Sequence, residues 1–324
     1  MREEDAVTVG DDAVGRDSDV HRLTLLPMSV VGGRLVVMPE LPEVTALAAD
    51  LDRRLTGRVI DRLGIVAFSA LKTFDPPADA LHDLTISGVT RHGKFLDIAA
   101  GELHVIIHLA RAGWIRWRDK PPPPPTGRLG KGPLAARLVL DDGSGLDITE
   151  AGTKKSLAIY VVADPSEVPG IARLGPDPLE AAFTEAVFAG ILAAQGRAQI
   201  KGVLRNQSLI AGIGNAYSDE ILHVAKMSPY KPANMGPDDV ARLYEAVQST
   251  LREALARADG LAASELKSEK KSNLRVHGRT GEACPVCGDT IRQVIFHDST
   301  FQYCPTCQTG GKPLADRVLS RLLK

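Results

Sequence analysis

The sequence predicts an α+β multidomain protein: a β-sandwich or barrel flanked by helices, then a helical domain, then a small metal-stapled module. Three observations carry this prediction. Short strand-like runs separated by turn residues fill residues 58–163. Past Leu174-Gly175-Pro176-Asp177-Pro178 the apolar spacing becomes helical and the composition turns rich in Ala and Leu. All four cysteines of the chain lie within residues 284–307, in two Cys-x-x-Cys pairs.

Taken in order, residues 1–37 are acidic and without sustained periodicity, and read as a disordered or non-native leader. From Glu43 to about Leu55, the residues Val44, Leu47, Leu51 and Leu55 recur at helical spacing. Strands are expected at Val59–Val66, Leu84–Val89, Phe95–Ile98, Val105–Leu109, Arg137–Leu140 and Leu157–Val162, with Asp141-Asp142-Gly143 as one of the turns. The run Pro121–Pro125 reads as a stiff surface loop, with a polyproline ligand for a partner as its alternative. Helices follow near 184–195, 199–206, 216–226 and 237–258, and a polar stretch at 264–273 leads to the cysteines. The expected domains are 38–165 (β-rich), 166–273 (helical) and 274–308 (metal module), with a basic tail at 309–324.

Composition bounds the function classes. The net charge of −1 argues, taken alone, against a nucleic-acid partner. Its distribution reverses that argument, since the last 60 residues hold ten Lys/Arg against six Asp/Glu. No run approaches the roughly 20 apolar residues of a membrane span, and the apolar patch at 23–37 is broken by Pro27 and lacks a basic flank. With no cysteine outside the cluster, the expectation is a reducing compartment, which the cytoplasm provides.

Four thiolates from Cys284, Cys287, Cys304 and Cys307, spaced CxxC–x16–CxxC, suit one tetrahedral Zn²⁺. All four positions are protein ligands, so the zinc is structural. Arg275, Arg279, Arg292 and His297 nearby favour a nucleic-acid role for this module over a bare staple. The loop Gly212-Ile213-Gly214-Asn215 is either a phosphate cradle before a helix or a tight helix–helix turn. By residue type alone, Lys94 is an edge lysine facing water and His108 a satisfied core histidine. Pro39 has two readings as well. As an N-terminal residue its secondary amine is a nucleophile for a sugar carbon, while inside a chain it is an inert amide.

These pieces together resemble the formamidopyrimidine-DNA glycosylase/endonuclease VIII family, from Pro39 to about Gln308. Pro39-Glu40-Leu41-Pro42-Glu43-Val44 is similar to its N-terminal phrase, Arg91-His92-Gly93-Lys94-Phe95 to its lysine-bearing strand, and His108-Leu109 to the next strand. Leu209–Tyr217 is similar to its helix–two-turn–helix signature, and Val276–Gly281 with the four cysteines to its zinc finger. The resemblance implies a zinc-stabilised enzyme that acts on double-stranded DNA carrying an oxidised base or an abasic site. The lesion is extruded at a cost of roughly a few kcal/mol. By the same resemblance Pro39 would attack the deoxyribose C1′, Glu40 would move protons, and β- then δ-elimination would cut the strand. Lys94, Lys201 and Asn215 would grip phosphates around the lesion, Lys94 standing with Pro39 and Glu40 in the catalytic set, and Glu43 would lie near the site. Arg279 belongs to the implied DNA-binding surface.

The chain also departs from the family pattern. Ser299 stands where the resemblance expects a phosphate-clamping arginine, and Arg111 where it expects a wedge residue, often methionine. Lys154-Lys155-Ser156 replaces an Arg–aromatic pair. The rival functions are a non-catalytic zinc protein that binds damaged or abasic DNA, and a zinc-finger regulator of undamaged sequences.

Overall fold

The computed structural model describes residues 38–122, 132–152, 154–296 and 299–315, the side chains of 296 and 299 excepted. The leader, Pro123–Pro125, His297 and the end of the tail lie outside the described residues, as does the side chain of Ser299.

Helix α1 (Leu41–Leu55) opens the fold, with Pro42 in its first turn, Glu43 on the positive end of its dipole and Arg53 and Arg54 on the negative end. Its buried stripe, including Leu41, Val44, Leu47, Leu51 and Leu55, follows the periodicity read from the sequence. The strands are β1 (Ile60–Ile65), β2 (Ile86–His92), β3 (Phe95–Ala100), β4 (Leu103–His108), β5 (Gly113–Arg118), β6 (Leu134–Leu140), β7 (Gly145–Glu150) and β8 (Ala158–Val162). They form two antiparallel four-stranded sheets, ordered β1-β6-β7-β5 and β2-β3-β4-β8. Their inner faces and α1 share one apolar core around Leu96, Ile98, Ile107, Ile115, Leu138 and Ile148. The expected β-sandwich is therefore present, with two strands, β5 and β7, that the sequence reading did not place.

A short helix, α2 (Pro169–Ala172), lies over Ile106 and Val162 through Val168 and Ile171. The helical domain consists of α3 (Glu185–Gln195), α4 (Ile200–Arg205), α5 (Asn215–Val224) and α6 (Pro237–Ala258). Its own core gathers Phe188, Leu204, Ile213, Ile221, Leu243 and Val247. The polar stretch at 264–273 is largely a helix, α7 (Leu266–Asn273). Here the chain returns to the sandwich: Ala258, Ala263 and Leu266 complete the sandwich core, and Trp114 Nε1 donates to the Ala263 carbonyl at 3.0 Å. A hairpin of β9 (Arg292–Phe296) and β10 (Ser299–Tyr303) and a final turn of helix, α8 (Pro305–Thr309), build the metal module. Among the described residues no helix is long and apolar enough to cross a membrane.

Candidate nucleic-acid site at the N-terminal phrase

The start of α1 is docked on the glycine loop that precedes α5. Leu41 N–H donates to the Gly212 carbonyl at 3.1 Å. Gly212 has φ +86°, and a Cβ there would lie 2.4 Å from Leu41 Cδ1, so both the backbone sign and the close approach require glycine. The side chain of Glu40, 1% exposed, accepts N–H groups from Gly214 (2.6 Å), Ala216 (2.8 Å) and Tyr217 (3.2 Å). A carboxylate thus occupies the N-terminus of α5, where orphan amides and the helix dipole favour an anion. The phosphate-cradle reading of this loop meets a protein carboxylate instead. Burial raises the proton affinity of Glu40, but Lys270, Lys94 and the Ala216 amide outweigh it and hold the group below its ordinary value.

Glu43, one turn along α1, ties three elements together. Its Oε2 accepts the Glu40 N–H at 2.8 Å and Lys270 Nζ at 2.6 Å, and its Oε1 accepts the Tyr217 hydroxyl at 2.5 Å. Burial drives the Glu43 carboxyl above the usual range, with Lys270 and Tyr217 opposing. Lys270 also donates to the Met38 carbonyl at 3.0 Å and lies 4.5 Å over the Tyr217 ring. Pro39, buried, joins Met38 and Glu40, whose backbone groups are bonded to Lys270 and Glu43.

Lys94 projects from the β2–β3 turn and donates to the Ile213 carbonyl at 3.0 Å, so it is not the water-facing edge lysine that its sequence context implies. Gly93, at φ +55°, lets the turn pack on Leu174 and Ala211 of the helical half. Desolvation lowers the Lys94 ammonium to about 8; Glu40 resists this, and Lys270 and Arg205 reinforce it. His108 stacks against Phe95 at 4.6 Å and is lowered to about 4 by burial and then by Lys94.

Lys201 is 5% exposed, and its Nζ donates to Asp219 (2.6 Å), Ser218 Oγ (2.7 Å) and the Asn215 carbonyl (3.2 Å). Its charge is neutralised within the fold rather than presented on a surface. Asn215 Nδ2 donates to the Thr300 carbonyl of β10 at 2.7 Å, and its buried Oδ1 has no partner among the described residues. The cluster therefore unites Pro39, Glu40, Lys94, Lys201 and Asn215. Lys154 is exposed after β7, and Arg279 pairs with Glu282 at 2.7 Å, neither bonded to the cluster. Arg111 is exposed in the β4–β5 connection, beside Ala110 at φ +52°.

One face of α5 also holds the metal module. Asp219 Oδ2 accepts from His277 Nδ1 (2.7 Å) and Gln302 N–H (3.1 Å). Glu220 accepts three backbone N–H groups, from Arg275, Val276 and His277, at 2.7–3.0 Å. His223 Nε2 lies 3.3 Å from Cys284 Sγ. The four cysteine sulfurs all lie within 4.8 Å of one another. Tetrahedral Zn–S bonds of about 2.3 Å need sulfurs near ~3.8 Å apart, and the pairs at 3.3 and 3.9 Å fit that geometry. The sequence reading missed Lys270, Asp219, Glu220 and His223. Each is a charged or polar residue on a helix, with nothing in its spacing to mark it.

Comparison with known proteins agrees with this geometry. Residues 38–152 match the formamidopyrimidine-DNA glycosylase N-terminal domain, and residues 174–265 match the formamidopyrimidine-DNA glycosylase H2TH domain. The chain is 33% identical over 282 residues to the formamidopyrimidine-DNA glycosylase of Listeria innocua, covering 84% of this chain and 100% of that one. It is 57% identical over 152 residues to an uncharacterised formamidopyrimidine-DNA glycosylase-like protein of Mycobacterium tuberculosis, covering 47% of this chain and 94% of that protein. The crystal structure of the MutM (Fpg) protein of Thermus thermophilus superposes with a TM-score of 0.71 at 29% identity, covering 85% and 100%. That of Lactococcus lactis Fpg, bound non-covalently to DNA containing an AP site, gives 0.72 at 26%, covering 83% and 99%. By this sequence relationship, this fold and this arrangement of residues, the chain belongs to the formamidopyrimidine-DNA glycosylase family.

Proposed function

We propose that the protein is a base-excision DNA glycosylase with AP-lyase activity, working in a form whose N-terminus is Pro39. The observation that carries this reading is the docking of Glu40 and Leu41, the residues that follow Pro39, on Gly212–Tyr217, with Lys94 at the same loop. Relatives bound to abasic DNA and to DNA containing carbocyclic 8-oxo-G support damaged duplex DNA as the substrate class.

In this form the Pro39 nitrogen bonds to the sugar C1′ as the glycosidic bond breaks, and the departing base takes up a proton. Glu40, held as the carboxylate by Lys270, Lys94 and helix α5, moves protons at the ring oxygen as the sugar opens. The resulting iminium acidifies the C2′ hydrogen. Its loss breaks the C3′–O bond, and a second elimination breaks the C5′–O bond. Cys284, Cys287, Cys304 and Cys307 would hold a zinc ion that supplies no chemistry and would fix the hairpin that carries Thr300 to Asn215. The protein acts as a monomer in the cytoplasm.

The test uses two proteins, one starting at Pro39 and one retaining residues 1–38, each incubated with abasic duplex DNA and borohydride. A covalent adduct with the first alone supports the reading. Binding without an adduct from either protein would favour the rival, a non-catalytic binder of abasic DNA.

A further inference from the structure

Lys270 is a buried ammonium that the steps above use only as a counter-ion. We propose that it is a positioning residue for the Pro39 amine, keeping that amine unprotonated and therefore nucleophilic near neutral pH. The inference rests on the reading that Pro39 is the nucleophile.

The geometry carries it. Lys270 is 2% exposed, and its Nζ lies 3.0 Å from the Met38 carbonyl oxygen. That oxygen and the Pro39 nitrogen share one carbon, so Nζ is within roughly 5 Å of the nitrogen by standard peptide dimensions. In a chain that starts at Pro39, a protonated amine would face a second cation in a site shielded from water. Like charges at this range favour the neutral amine.

The titratable groups bonded at the residues that flank Pro39, or at the loop on which Glu40 docks, come from four elements. Glu40 and Glu43 lie on α1, Tyr217 on α5, Lys94 on the β2–β3 turn and Lys270 on α7. The two carboxylates are turned to other work. Glu40 is held by three amides of the α5 N-terminus, and Glu43 is engaged by the Glu40 N–H, Tyr217 and Lys270. Lys270 bonds to Glu43 on one side and to the carbonyl oxygen that precedes the Pro39 nitrogen on the other, so the ion pair presents its positive end to the amine. Lys94, bonded to the Ile213 carbonyl, adds a second cation to the same pocket.

The experiment uses protein beginning at Pro39 and carrying ¹⁵N-proline. NMR titration gives the amine's pKa directly, without DNA, for wild type, Lys270→Gln, Lys270→Met and Lys270→Arg. The glutamine variant keeps a donor for Glu43 and covers the case in which the methionine variant fails to fold. The neutral variants should raise the amine pKa by about one unit, and arginine should restore it. With abasic DNA, their borohydride trapping should fall about tenfold at pH 6 and match wild type at pH 9. An unchanged amine pKa, or the same loss of trapping at every pH, would overturn the inference and leave Lys270 a structural counter-ion. A wild type with a lowered amine pKa that forms no adduct upholds the role of Lys270 while sinking the lyase reading.

Discussion

The carboxylate of Glu40 caps the helix that begins at Asn215, accepting the Gly214 N–H at 2.6 Å across 174 residues of sequence. The first turn of one domain is thereby the N-terminal cap of the other, and the phrase at Met38–Val44 cannot shift without opening a helix end.

Gly214 is the residue on which this contact is most exposed to change. A Cβ there would lie 2.4 Å from Glu40 Cδ. Gly214→Ala should displace the carboxylate, lower stability by about 1–3 kcal/mol and cut adduct formation at least a hundredfold. Urea unfolding and single-turnover trapping check the two parts separately.

Glu43 and Lys270 form a buried pair at 2.6 Å with side chains 2% and 0% exposed. Glu43→Gln leaves the ammonium without its counter-charge, and a loss of about 3–5 kcal/mol is expected. Lys270→Met should cost less, because burial already drives the Glu43 carboxyl upward and it can take up a proton. Equal losses in chemical denaturation at pH 7 would contradict this asymmetry.

Lys94 gives stability a pH dependence in the alkaline range. Burial lowers its ammonium to about 8 in the fold, against roughly 10.4 when unfolded. Between those values the unfolded chain binds more protons, so this group makes stability rise with pH across the window; below it the burial cost is fully felt. Lys94→Met should flatten that rise and stabilise the protein at pH 7 by on the order of 1 kcal/mol, while weakening binding to abasic DNA. Melting temperatures from pH 7 to 10 measure the slope.

His223 is lowered to about 4 by burial and by Arg275, hence neutral, and its Nδ1 has no partner among the described residues. The one remaining N–H is then on Nε2, directed at Cys284 Sγ. His223→Ala should reduce zinc affinity tenfold or more, read as faster zinc release to a chromogenic chelator.

The phrase at Met38–Val44, the glycine loop and the cysteine spacing were legible in the sequence because each is a local pattern with a narrow physical use. The sandwich was legible wherever strands alternate or run apolar. It was not legible at β7, where Asp147 and Glu150 are buried yet charged, Asp147 being paired with Arg118 and Arg137. Nor was it legible at β5, whose burial runs in one block before turning outward. Helix α7 carries a single fully buried leucine, Leu266, so its pattern reads as a polar linker. Lys270 gains its partners only when α7 folds back on α1, and no spacing encodes that return.

Trp114 and Trp117, both tryptophans of the chain, sit on β5, one bonded to the α6–α7 segment and the other beneath Arg54. Intrinsic fluorescence is therefore a gauge of a single seam, where the chain returning from the helical domain meets the sandwich edge. A titration that opens the metal module but leaves that seam closed would be invisible to it, so zinc release and seam opening can be timed independently in one sample.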